Sequence, residues 1–192
     1  KTLQELNVLK ASRMKAWEEE LSAVCALAGG ADTSGEAVTA YERLLSETPV
    51  YSDNRAKVEG ATEKVKGIFY ATIKREFPYL VQGRTQANER DIAALMFSRA
   101  SVQDDTVRYL DTGTTQKILD IAGRLRRLEL ELGRQYANLT EGVELYSKKR
   151  YAPALEFFEK VIGFDSENEE ALFYRSRATE EESAAALKKD KR

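Results

Sequence analysis

The chain has 192 residues, enough for one domain or two small ones, and its 42% hydrophobic and 32% charged residues can supply both a core and a solvated shell. Thirty Lys and Arg against 32 Asp and Glu leave a net charge of −2, which gives no global basic field for nucleic acid phosphates or an anionic membrane. With no His and a single Cys, one chain cannot build a thiolate–imidazole zinc site, a Ser-His-Asp triad, a Cys-His pair or an internal disulfide.

Only 3 prolines and 11 glycines occur, with long stretches free of both, and this scarcity of helix breakers predicts an all-α chain. No apolar run approaches the ~18–20 residues of a membrane span. Thr2-Leu3-Gln4-Glu5 has the form of a capping box, with the N-cap hydroxyl three residues before its carboxylate. Leu6, Leu9, Met14, Trp17, Leu21, Val24 and Ala28 then recur near helical spacing until Gly29-Gly30 stops the helix. Cys25 lies on that apolar face and reads as a small buried hydrophobe.

Thr33-Ser34-Gly35-Glu36 is a second capping box, opening a helix through Ala37, Tyr41, Leu44 and Leu45 that Pro49 ends. Ser52 or Asp53 is expected to cap a third helix, with Val58, Ala61, Val65, Phe69 and Ile73 on its apolar face. Phe77-Pro78 ends or kinks it. Thr85 begins a fourth helix and Ser101 a short fifth one that closes at Gly113. The longest regular pattern follows: Ile118, Ile121, Leu125, Leu128, Leu132, Tyr136, Leu139, Val143 and Tyr146 step by three or four. A helix from about Thr115 to Lys149 would be on the order of 50 Å long. Lys148-Lys149-Arg150 suits its C-terminus, where cations complement the backbone dipole. A helix from Tyr151 to Gly163 and a last one from Asn168 complete about seven or eight helices.

Tyr151, Ala154, Phe158 and Val161, closed by Asp165-Ser166-Glu167-Asn168, carry the spacing of a second helix of a tetratricopeptide (TPR) unit. Over Asn138 to Asn168 the chain resembles one such unit of about 34 residues. Gly142 stands where the family places a small residue in the first helix, and Ala154 where the second helix must let the first approach. Asn138, Glu141 and Ser166 depart from the family pattern. Ala37, Tyr41, Leu44 and Pro49, and again Ala93, Phe97 and Ala100, are weaker echoes. The resemblance implies a right-handed helical stack or bundle. Residues 1–114 would be degenerate TPR-like hairpins and 115–192 the long helix with the C-terminal unit, in one continuous domain.

First helices of TPR units line a concave groove. The resemblance puts Tyr136, Leu139, Val143 and Tyr146 on that surface, extended by Phe173, Tyr174 and Arg177. Aromatic and Arg side chains are the types that make interface hot spots. Ordinary core packing of the same stripe is the competing assignment. Leu139, Val143 and Tyr174 replace the Lys and Asn of a carboxylate clamp, so an apolar peptide or helix fits better. Arg124, Arg126 and Arg127 are expected to pair with Asp120, Glu129 and Glu131 on a solvated face.

These features imply a non-catalytic protein–protein interaction scaffold or adaptor in a larger bacterial assembly. Its partner would be another protein or peptide; no nucleic acid, metal or cofactor is expected, and no residue is assigned to catalysis. Two alternatives stay open. One is a small-molecule or lipid-binding accessory of a transport system, marked by a closed apolar cavity between the long helix and the Val58–Ile73 helix. The other is a structural subunit forming a homo-oligomer through the long helix. The chain opens on Lys1 rather than Met, which fits either a removed leader or anchor or a piece of a longer chain, and neither cytoplasm nor periplasm is singled out.

Overall fold

The computed structural model describes residues 2–30, 34–76 and 112–189. Among them are six α-helices and no strand: α1 Leu3–Gly29, α2 Ser34–Ser46, α3 Arg55–Glu76, α4 Thr112–Ser147, α5 Tyr151–Phe164 and α6 Glu169–Lys189. The all-α expectation holds. Thr33, Phe77-Pro78, the helices expected from Thr85 and Ser101, and the Ala93 echo lie outside the described residues. The long helix starts at Thr112, so Gly113 sits within it rather than ending a fifth helix.

Two compact units are interleaved along the sequence: Lys1–Ala16, Pro49–Ala56 and Glu131–Arg192 form one, and Trp17–Thr48 with Lys57–Leu130 form the other. This differs from a division at 114/115, because the start of α1 and the 49–56 segment belong with the C-terminal helices.

In the second unit, Trp17, Val24, Ala37, Tyr41, Leu44, Leu45, Val58, Val65 and Phe69 are buried. Each buried Val, Leu or Phe among them contributes roughly 1.5–3 kcal/mol by leaving water. Tyr41 and Phe69 meet edge-on at 6.1 Å. The Trp17 indole N–H donates to Thr48 Oγ1 at 3.1 Å, so its polar atom is satisfied inside the core. Around the rim, Glu18 pairs with Lys57, Glu20 with Arg43, Lys66 with Glu129 and Arg124 with Glu42. The Arg124 pair therefore joins two helices, where pairing along α4 was expected; the guanidinium reaches across to α2 at 2.8 Å.

In the first unit, the Thr2–Glu5 capping box forms as read. The Thr2 N–H donates to Glu5 Oε2 at 2.8 Å and the Glu5 N–H to Thr2 Oγ1 at 3.2 Å. Helix α4, which enters this unit at Glu131, has 36 residues, about 54 Å at the usual rise, and it runs unbroken through Gly133. It ends in a Schellman closure: the Lys149 N–H donates to Tyr146 O and the Arg150 N–H to Leu145 O, each at 2.9 Å. Lys149 takes the left-handed conformation, φ 58°, that glycine normally supplies there.

Helix α5 restarts two residues later. Pro153 is its third residue, where the missing N–H costs no intrahelical bond; inside a fused α4–α5 helix it would clash with the Lys149 carbonyl. Asp165 closes α5 with its N–H on Val161 O at 2.9 Å. Asn168 Oδ1 then accepts the Ala171 N–H at 2.9 Å and caps α6.

Candidate partner-binding surface

Helices α5 and α6 pack against each other, and the end of α4 packs against α5 through a close approach at Gly142. A Cβ at Gly142 would lie 2.7 Å from the Phe158 ring, closer than side-chain carbons come. Phe158, Ala154 and Val161 are fully buried. Gly142 and Phe158 therefore meet there, and glycine is needed because a buried aromatic ring fills the space its side chain would take. Tyr151, at the start of α5, is half-buried.

From Phe158 an aromatic chain runs outward. Its ring stacks on Tyr174 at 5.7 Å and 14°. Tyr174 meets Tyr146 at 5.3 Å and Phe173 at 5.4 Å, both edge-on, and Tyr146 meets Tyr151 at 5.6 Å. Such pairs add about 0.5–1.5 kcal/mol each beyond the area they bury. Val143, Tyr146, Tyr151, Phe173 and Tyr174 are half-buried, leaving a continuous aromatic ledge in contact with solvent. Burial and the Glu170 carboxylate raise the Tyr174 phenol above its ordinary pKa, so it stays a neutral donor. Arg177 is exposed, with its guanidinium 5.6 Å from the centre of the Phe173 ring. A shallow cleft of about 360 Å³ beside it is lined by Leu172, Phe173, Ser176, Arg177 and Glu180.

Tyr136 and Leu139 belong elsewhere. Their relative exposures are 3% and 0%, so both are core positions and not part of an open groove. The Tyr136 hydroxyl donates to Asn54 Oδ1 at 2.8 Å, and the Arg55 guanidinium lies 5.9 Å from its ring. The chain's own Asn54 and Arg55, in the 49–56 segment, therefore lie against Tyr136.

That segment is part of a polar lock the sequence did not announce. Asn54 Oδ1 also accepts the Tyr51 N–H, while its amide donates to Pro49 O at 2.8 Å. Asn168 donates to Val50 O at 2.8 Å. The Glu170 carboxylate accepts from the Ser52 N–H at 3.0 Å and the Ser52 hydroxyl at 2.5 Å, and pairs with Lys10 at 3.0 Å. Lys10 also meets Asp53 at 3.0 Å. Arg13 grips Asp165 with both terminal nitrogens, at 2.9 and 3.0 Å, and lies 3.5 Å from Glu169. Tyr51 donates to Glu169 at 2.6 Å.

Ser52 and Asp53 are thus committed to Glu170 and Lys10 and do not cap α3, which begins at Arg55. Burial alone would lower the Lys10 and Arg13 pKa values. The carboxylates of Glu170 and Asp53, and of Asp165 and Glu169, outweigh it and hold both cations above their ordinary range. Burial, then the Glu169 carboxylate, pushes the Tyr51 phenol far up.

Among the described residues no group of three or more His, Cys, Asp or Glu could hold a metal, and no helix is long and apolar enough to cross a membrane. Comparison with family models, curated proteins and solved structures gives no match to this chain.

Proposed function

We propose that this chain is a non-catalytic protein–protein interaction scaffold or adaptor whose C-terminal helices form a TPR-like unit within a right-handed helical stack. One observation carries the reading. The Gly142–Phe158 approach closes α4 and α5 tightly, and the aromatic chain that starts at Phe158 surfaces as the Tyr146–Tyr174–Phe173 ledge. A rigid aromatic surface beside an Arg is the chemistry of an interface hot spot, and its rings lose little conformational freedom on binding. The half-buried apolar edges favour a peptide or helix with apolar side chains as the ligand. Residues 143, 146, 173, 174 and 177 make up the surface.

The test is affinity capture from a lysate of the source organism, run beside a Tyr146→Ala/Phe173→Ala variant whose thermal melt is measured in parallel. A protein captured by the parent and lost with the variant, at a melting temperature close to the parent's, is the expected result. Equal loss of binding and folding would make the ledge core, and capture that ignores the variant would move the interface elsewhere.

A further inference from the structure

The first half of α1 is attached to the molecule differently from the helices beneath it. In residues 2–16 only Leu6 is buried, Lys10, Arg13 and Met14 are half-buried, and the rest are exposed, with Leu3 at 59% and Val8 at 64%. Its links to the α5–α6 corner are ionic: Lys10 to Glu170, and Arg13 to Asp165 and Glu169. To the 49–56 segment, Lys10 pairs with Asp53 and lies 4.9 Å from the centre of the Tyr51 ring, while the Asn54 amide donates to Met14 Sδ at 3.0 Å. The corner itself is closed by other means, namely the buried Ala154, Phe158 and Val161, the Asn168 cap and the Asn168–Val50 hydrogen bond. Charge attraction falls with salt, less steeply for partly buried pairs such as these, whose side chains are 4–26% exposed, whereas apolar burial does not fall. Local opening is drawn from the segments with the fewest buried apolar contacts.

We propose that residues 3–16 of α1 form a strap held to the α5–α6 corner by charge, which opens as a unit while the hairpin beneath stays folded. Opening removes both cations from Asp53, Asp165, Glu169 and Glu170 and leaves an acidic corner next to Tyr174. Lys10 pairs with Glu170, four residues before Tyr174 on α6, so the strap is attached close to the aromatic ledge. Its effect on a partner rests on the interaction reading above, but its existence does not, and the experiment reads the strap alone.

Hydrogen exchange followed by mass spectrometry on the whole chain, at 0.01 and 1 M NaCl, where the screening lengths are about 30 and 3 Å, resolves the strap from its surroundings. Amides of residues 3–16 should exchange about fivefold or more faster at high salt, while those of 18–28 in the same helix and 151–164 in α5 change by less than about twofold. The Lys10→Gln/Arg13→Gln variant should show the fast exchange already at low salt and little further salt response. Residues 3–16 exchanging in step with 151–164 at both salts, or the variant accelerating both segments together, would overturn the strap. If the double variant fails to fold, the parent's salt series decides by itself.

Discussion

The α4–α5 corner and the first half of α1 belong to the same compact unit and are held in opposite ways. At the corner, every critical contact is between residues close in sequence: Gly142 with Phe158, and Lys149 and Arg150 with Tyr146 and Leu145. The α1 segment is held by charges on residues some 150 positions away, as in the Lys10–Glu170 pair. The first arrangement depends on shape and volume. The second depends on electrostatics between side chains 4–26% exposed and responds to pH and salt. The two regions should therefore fail under different insults.

The largest effect is expected at the corner. Gly142→Ala places a methyl against a fully buried ring and should cost about 1–3 kcal/mol, as overpacking does. Ala154→Leu, at a position with no exposure, should cost a similar amount. Chemical denaturation read by circular dichroism checks both. A parent-like midpoint for either would mean the helices can separate there, and the contrast with α1 would lose its basis.

Alkaline pH should act on the polar lock instead. The Tyr51 phenol, Lys10 ammonium and Arg13 guanidinium all have folded pKa values above their ordinary 10.0, 10.5 and 12.5. Above pH 10 the unfolded chain releases protons the folded chain still holds. The lock's contribution is therefore complete below pH 10 and lost progressively as pH rises beyond it. Urea midpoints measured from pH 8 to 11 should fall, and Tyr51→Phe should flatten the first part of that fall. A profile unchanged by Tyr51→Phe would mean the phenol is not tied to Glu169.

These two regions also differ in what the sequence could show. Helix starts and interior positions follow local rules, so the Thr2–Glu5 box and the Ala154, Phe158 and Val161 stripe were legible. Periodicity shows which side of α4 is apolar but not what covers it. Tyr136 and Leu139 thus read as groove residues, although residues 49–56 of the same chain close over Tyr136. Ser52 and Asp53 read as caps of the next helix, and Lys10 and Arg13 carried no assignment, because the partners of Lys10, Arg13 and Ser52 at 165–170 lie far along the chain. A cation pair spaced i, i+3 beside Leu6 and Met14 was the one local hint that this face of α1 is not free. The α4–α5 break was legible only in part: Lys148-Lys149-Arg150 marked a helix end, but nothing marked Lys149 as the left-handed residue.

That residue gives the smallest effect and the finest probe of the corner. An L-residue in the left-handed region gives up roughly 1 kcal/mol that glycine does not, while glycine gains freedom in the unfolded chain that works against it. Lys149 is exposed, and the closure is made by backbone N–H groups of Lys149 and Arg150. Lys149→Gly should therefore stabilise the chain by about 0.5–1 kcal/mol. Because Pro153 already forbids a continuous α4–α5 helix, the gain must come from relieving φ at one residue and not from preventing an alternative fold. A small rise in melting temperature, with salt and alkaline responses unchanged, would place strain relief at the corner and leave the charged attachment of α1 untouched. A loss of stability would mean that the Lys149 side chain contributes more than its backbone strain costs.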